Sequence, residues 1–214
     1  MKRWSSTVKK WIDEQHFTEL ARAEPEKLCV KGRANYNPLT GIYTIAVWNE
    51  EYAFDSRHCL VSVTSATSSV RPGAEADRFS VFAIWYLLHP MTIPNTGVWV
   101  SGNDFPGGNT FFRGPHQIPG GRVAEACGGD PDRFTAACQR LGGKQLDMGD
   151  AAFRFSIMPD INVAVLLWRG DEDFPAEAKL LFDQGLVGKL PLDIVWALAA
   201  GICKRLDEAI AFGE

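Results

Sequence analysis

The chain has 214 residues, 46% of them apolar, with 22 basic and 26 acidic side chains and a formal net charge of -4. That length suits one domain with a proper core, or two very small ones. The mild charge, with no run of Lys or Arg interleaved with aromatics, argues against nucleic-acid binding.

Residues 1–35 carry 8 basic and 5 acidic side chains, and residues 151–214 carry 6 and 10. The basic end therefore reads as an ordinary solvated helix. Its start, "MKRWSSTVKKW", has no apolar region of the signal-peptide kind behind it. "FSVFAIWYLLHP" and "IVWALAAGIC" are about half of the roughly 20 residues that a membrane span requires. A cytoplasmic protein with no membrane partner is the expectation. Five cysteines, at 29, 59, 127, 138 and 203, form no C-x-x-C. Five free thiols are expected, and no zinc or iron–sulfur site within the chain.

Trp4, Val8, Trp11 and Ile12 form one apolar stripe, so residues 1–27 read as a helix stopped by Pro25. "NYNPLTGIYTIAVWNEEYAFD" follows, with a turn at Asn37–Gly41 and alternation from Ile42 to Trp48. With a second turn at Asn49-Glu50 and a further strand at "HCLVSVTS", it predicts an antiparallel meander. Asp77–His89 is the next helix, with Phe79, Phe82, Ala83 and Tyr86 on one face and Pro90 ending it. His89 at its end suits the helix dipole and reads as structural.

Residues 94–121 hold seven glycines and four prolines around a short strand, Gly97–Ser101. Trp99, Phe105, Phe111, Phe112 and His116 argue against simple disorder. The segment reads as a ligand-binding flap or as a loop packed over the sheet edge, the second being favoured. Asp130-Pro131 caps a helix carrying Phe134, Cys138 and Leu141, closed by Gly142-Gly143. "AAFRFSI" alternates as a half-exposed strand, and after Pro159-Asp160 "INVAVLLW" reads as a central strand covered on both faces. Pro191–Ala211 is apolar nearly all round between Ile194 and Cys203, which predicts a buried helix with Gly201 allowing close approach. These elements define a single α+β domain, with a largely antiparallel sheet packed against helices and a buried C-terminal helix.

"WRGDEDFPAEAKLLFDQG" raises the question of a carboxylate site. Phe174, Ala178, Leu181 and Phe182 stand at i, i+4, i+7 and i+8, which predicts a short helix over Phe174–Asp183. Asp171, Glu172 and Asp173 then lie at its positive end and need no function to explain them. Asp183 would oppose the dipole at the other end, so a structural anchor is expected there. Its partner would be an Arg, or loop N–H groups near Leu186–Gly188. His116 is the best placed histidine for a ligand. His58 abuts Cys59, but no third member of a triad is assignable. The chain contains no G-x-S-x-G, no Walker-type lysine loop and no G-x-G-x-x-G.

Together "NYNPLTGIYTIAVWNEEYAF", "YLLHP", "GVWVS", "LGG" and "GDAAFRFSIMPDINVAVLLWRGDEDFPAEAKLLFD" resemble a bacterial and archaeal domain family of unknown function, found mainly in anaerobes. Some members look like fusions to a small iron–sulfur domain of the corrinoid-protein type. This chain lacks that cysteine cluster. The resemblance implies a setting in anaerobic redox or one-carbon metabolism, with an iron–sulfur or corrinoid partner protein, and not a reaction, since the family has no established catalytic residues to carry over. The expectation is a non-catalytic accessory protein that binds a small ligand, cofactor or partner. Its candidate binding residues are Trp99, Phe105, His116, Trp168, Asp171 and Asp173. The alternative is an enzyme that uses carboxylates of the 168–173 turn with His116 as acid–base.

Overall fold

The computed structural model describes residues 12–30, 33–65, 78–127 and 129–212. Trp4, Val8 and Trp11 of the expected first helix lie outside them. The chain divides into two compact units, Met1–Thr92 and Ile93–Glu214. Each owns a separate antiparallel sheet, the meander in one and the later hairpin in the other.

The first unit begins with α1 (Glu14–Arg22), capped by Asp13, whose side chain accepts the Gln15 N–H. Ala23 then leaves the helical region, and Pro25 opens the short α2 (Pro25–Leu28) at its first turn. The meander is β1 (Ala34–Asn37), β2 (Ile42–Val47), β3 (Glu50–Asp55) and β4 (Leu60–Ser65), paired in chain order. Tyr43, Ile45, Val47, Tyr52, Phe54, Val61 and Val63 alternate onto one buried face. Helix α3 (Arg78–Leu88) lies against β2 and β3, and α1 lies against α3.

The β2–β3 turn is Trp48-Asn49 and not Asn49-Glu50, because Val47 pairs with Glu50. Both turn residues have positive φ, 42° and 66°, as a two-residue turn between twisted strands requires. Asn tolerates that conformation and Trp does not. Trp48 is held there by burial, with its ring 6.0 Å from Phe79 of α3. Packing overrides local preference at that residue.

In the second unit the strands are β5 (Trp99–Ser101), β6 (Lys144–Leu146), β7 (Ala151–Met158), β8 (Ile161–Trp168) and β9 (Glu177–Asp183). Their order is β5-β9-β8-β7-β6. As its unbroken apolar run predicts, β8 is central and buried on both faces. β7 is more buried than a half-exposed strand, with only Arg154 and Ser156 reaching the surface.

The expected helix over Phe174–Asp183 is a strand from Glu177. Ala178, Leu180 and Phe182 are buried and Glu177 and Lys179 exposed, a period of two. The helical reading needed Phe174 on the inner face, and Phe174 is 70% exposed. The physical reason is β8, whose second edge requires a hydrogen-bonded neighbour that β9 supplies from Trp168↔Glu177 to Val163↔Phe182.

The glycine-rich segment is ordered over the sheet edge. After β5 come a 3-10 turn at Gly102–Asp104, helix α4 (Gly108–Phe111) and another 3-10 turn at Gly114–His116. Helix α5 (Gly120–Cys127) follows and packs on β9. Helix α6 (Pro131–Arg140) starts at the Asp130 cap and contacts β7, with Phe134 6.0 Å from Phe153. Helix α7 (Leu192–Ala211) packs on α5 and α6 and is buried from Ile194 to Cys203 except at Trp196. Among the described residues no helix is long and apolar enough to cross a membrane.

Candidate functional site

β9 ends on Asp183, whose side chain is 2% exposed. Its Oδ1 accepts hydrogen bonds from Thr96 N–H (3.0 Å), Thr96 Oγ1 (2.8 Å) and Gly185 N–H (2.9 Å). Its Oδ2 accepts from Gly97 N–H at 2.8 Å. Burial pushes this carboxyl up, but the hydrogen bonds from Thr96, Gly185 and Gly97 favour the charged form and carry it below its ordinary value. The expected anchor is thus tied to Thr96-Gly97, ahead of β5, and sits at a strand end instead of a helix end. That tie accompanies the register Trp99↔Asp183 that makes β5 the edge of the sheet.

The register fixes which way Trp99 points. Helices α5 and α6 cover the face of Phe153, Val165, Leu180 and Phe182. The alternate residues form the opposite face, where Ala152, Ala164 and Leu166 are buried. Trp99, Leu146, Met148, Trp168 and Leu181 lie over them, partly exposed. Trp99 and Trp168 are therefore brought onto one surface. They stand roughly 20 Å apart along β9, six residues at ~3.3 Å each. Lys179 Nζ lies 5.3 Å from the Trp168 ring centroid, a cation–π contact at the edge of the patch.

The other candidates are dispersed. Phe105 is 3% exposed and meets Phe182 edge-on at 5.5 Å, so it belongs to the core. His116 is exposed, stacks on Phe111 at 4.6 Å and meets Trp196 edge-on at 5.7 Å. Asp171 commits Oδ1 to the N–H groups of Asp173 (2.9 Å) and Phe174 (2.8 Å), closing its own loop. Asp171, Glu172 and Asp173 are all exposed. Among the described residues no hydrogen bond, ion pair or ring contact joins them to His116. The acid–base pairing gains no support from this geometry.

In the first unit, His58 Nδ1 donates to Asp55 Oδ2 at 2.8 Å, since a carboxylate only accepts. Asp55 Oδ1 also takes the N–H groups of Arg57 and His58, which folds the β3–β4 turn. His89 stacks on Trp85 at 4.3 Å and bonds its carbonyl at 2.9 Å, a structural role at the end of α3.

A family model described as a domain of unknown function, DUF3786, matches residues 24–205. The chain belongs to that family. No curated protein and no solved structure matches it. The match takes in β1 of the DUF3786 chain and continues into the middle of α7.

Two features of the DUF3786 surface escaped the sequence reading. One is a pocket of about 360 Å³ between α5 and the 169–176 loop, lined by Glu125, Arg169 and small residues. The other is Asp55 as the partner of His58. The signal for it was an Asp three residues ahead of the His in a turn.

Among the described residues of the DUF3786 chain no three His, Cys, Asp or Glu side chains converge as a metal would need. All five cysteines are free thiols. Burial pushes the Cys127 thiol up to about 11 and the Cys203 thiol up to about 12, and raises Cys138 further. Cys29 is raised less, by burial and then by Glu26. Because the reagent must reach the sulfur, iodoacetamide at mildly alkaline pH should label the half-buried Cys29 and Cys59 in the folded protein and the three buried cysteines only in denaturant. Mass spectrometry of the labelled chain checks this. Early labelling of Cys138 or Cys203 would show that the layer of α6 and α7 opens under native conditions.

Proposed function

We propose that this DUF3786 chain is a non-catalytic accessory domain that docks a partner protein on the outer face of its five-stranded sheet. One observation carries the reading. Trp99, Leu146, Met148, Trp168 and Leu181 stand partly exposed over buried Ala152, Ala164 and Leu166, while exposed Glu177, Lys179 and Ser156 stand on the same face. An apolar centre holding tryptophans and ringed by polar groups is the anatomy of a protein interface. A site spread over about 20 Å suits a partner's surface better than one enclosed small molecule.

The partner class comes from the family resemblance: an iron–sulfur or corrinoid protein of anaerobic redox or one-carbon metabolism. An iron–sulfur cluster would be carried by that partner, since this sequence has no C-x-x-C to hold one.

Binding of a corrinoid iron–sulfur protein, measured by titration calorimetry, tests the reading. Trp99→Ser and Trp168→Ser should each weaken it by about ten-fold or more, as tryptophan anchors do. Phe versions of both should restore most of it, and Phe174→Ser, in the 169–176 loop, should leave it unchanged. Thermal midpoints of the variants separate lost docking from lost folding. Equal affinity for wild type and both Ser variants would sink the proposal, as would no measurable complex with any such partner.

A further inference from the structure

We infer that the chain also binds a small zwitterion of the α-amino-acid class, in the pocket between the C-terminal part of α5 and the 169–176 loop. This site is independent of the sheet face and rests on different residues.

The space of about 360 Å³ exists because most of its wall is small: Ala124, Gly129, Gly170 and Ala176. Its shape is set by backbone. Gly129 has φ +72°, open to glycine and disfavoured for other residues. A Cβ on Gly170 would stand 2.7 Å from Ala176 N, so that strand of the loop must also be glycine. The loop is braced as well. Asp150 Oδ2 takes the Arg169 N–H at 2.7 Å, and Asp171 Oδ1 takes those of Asp173 and Phe174. The Arg169 N–H is thus used, and the Asp171 N–H donates to the Phe174 carbonyl oxygen at 2.8 Å, whereas the N–H of Gly170 between them has no partner among the described residues. Gly170 and Gly129 both line the pocket, with Gly170 N 3.8 Å from where a Gly129 Cβ would stand.

Among the described residues two lining side chains bear charge, and their signs are opposite. Arg169 and Glu125 are both exposed, and among the described residues neither makes an ion pair with the other or with anything else. Two opposite charges lining one cavity select against simple ions. An anion drawn to Arg169 meets Glu125 and the negative end of α5, and a cation drawn to Glu125 meets Arg169. A molecule with both charges satisfies both walls. Its carboxylate takes the Arg169 fork and the Gly170 N–H. Its ammonium takes Glu125 beside the last carbonyls of α5. The volume lies at the lower end for ligand sites, which suits an amino acid with a small side chain.

The test uses the full chain with L-alanine, and with propionate and ethylamine as its two singly charged halves. Amide chemical shifts at Gly170 and Gly129 are followed through the titrations. L-alanine should give a saturable shift that neither half reproduces at equal concentration. Arg169→Gln and Glu125→Gln, both at exposed positions, should each weaken it about ten-fold with unchanged denaturation midpoints. No saturable response to L-alanine at millimolar concentration overturns the inference. So does propionate or ethylamine binding as well as alanine, or either variant binding normally.

Discussion

Asp183→Ala should cost about 3 kcal/mol of stability, while Asp171→Ala should cost under about 1. Both carboxylates accept backbone N–H groups, so the contrast lies in burial and reach. Asp183 is 2% exposed and receives four donors, three of them from Thr96 and Gly97, across the sheet edge. Its removal strands those N–H groups with little access to water, and each hydrogen bond to a charged acceptor is worth about 1.5–3 kcal/mol before relaxation. Asp171 closes only its own exposed turn, where water can replace it. Denaturant midpoints of the two variants at neutral pH measure both costs. Asp183→Asn should also be destabilised, because the amide offers one acceptor and aims its NH₂ at N–H donors.

The effect has a pH signature. The folded-state pKa of Asp183 is lowered, so its contribution is present above the ordinary carboxyl pKa of about 4 and is lost as pH falls through the folded value. The gap between wild type and Asp183→Asn should therefore hold at pH 5–8 and close below about pH 4. A gap that widened on acidification would show that the carboxyl is held protonated.

Gly120→Ala should cost about 3 kcal/mol or more, and its neighbour Gly121→Ala nothing. A Cβ on Gly120 would stand 2.1 Å from the Ala178 carbonyl oxygen, which belongs to the backbone of β9 and cannot swing away. Either α5 lifts from the sheet or β9 bends, and both disturb the contact on which α7 also rests. Gly121 has nothing within 4 Å, and alanine there gains helix propensity of up to about 1 kcal/mol over glycine. Thermal or chemical denaturation of the two variants, one residue apart, isolates the close approach from any general effect of alanine at the start of α5. Equal midpoints would mean that α5 is free to move off β9.

What the residues determined alone was every element whose pattern is local and long. Helix α3 follows from Phe79, Phe82, Ala83 and Tyr86, α6 from its Asp130 cap and Gly142 exit, and α7 from the apolar run between Ile194 and Cys203. β8 was legible because eight residues without alternation must be covered twice. The absence of a cysteine motif likewise follows from spacing. Tertiary structure decided the rest, where two local patterns compete or where the partners are far apart in the chain. The stretch after Pro175 satisfies a helical stripe and a strand alternation at once, and only the open edge of β8 selects the strand. Asp183 announced itself as an anomaly, and Gly185 N–H is a local donor to it, yet its other donors, on Thr96 and Gly97, lie 87 and 86 positions away and nothing local names them. Trp48 enters a left-handed turn against its own preference because Phe79 holds its ring. Trp99 and Trp168 share a face only through the pairing of β5 and β8 with β9, and Glu125 and Arg169 line one pocket only because α5 packs on β9. Such convergence depends on long-range pairing, whose energy is absent from any short window of sequence.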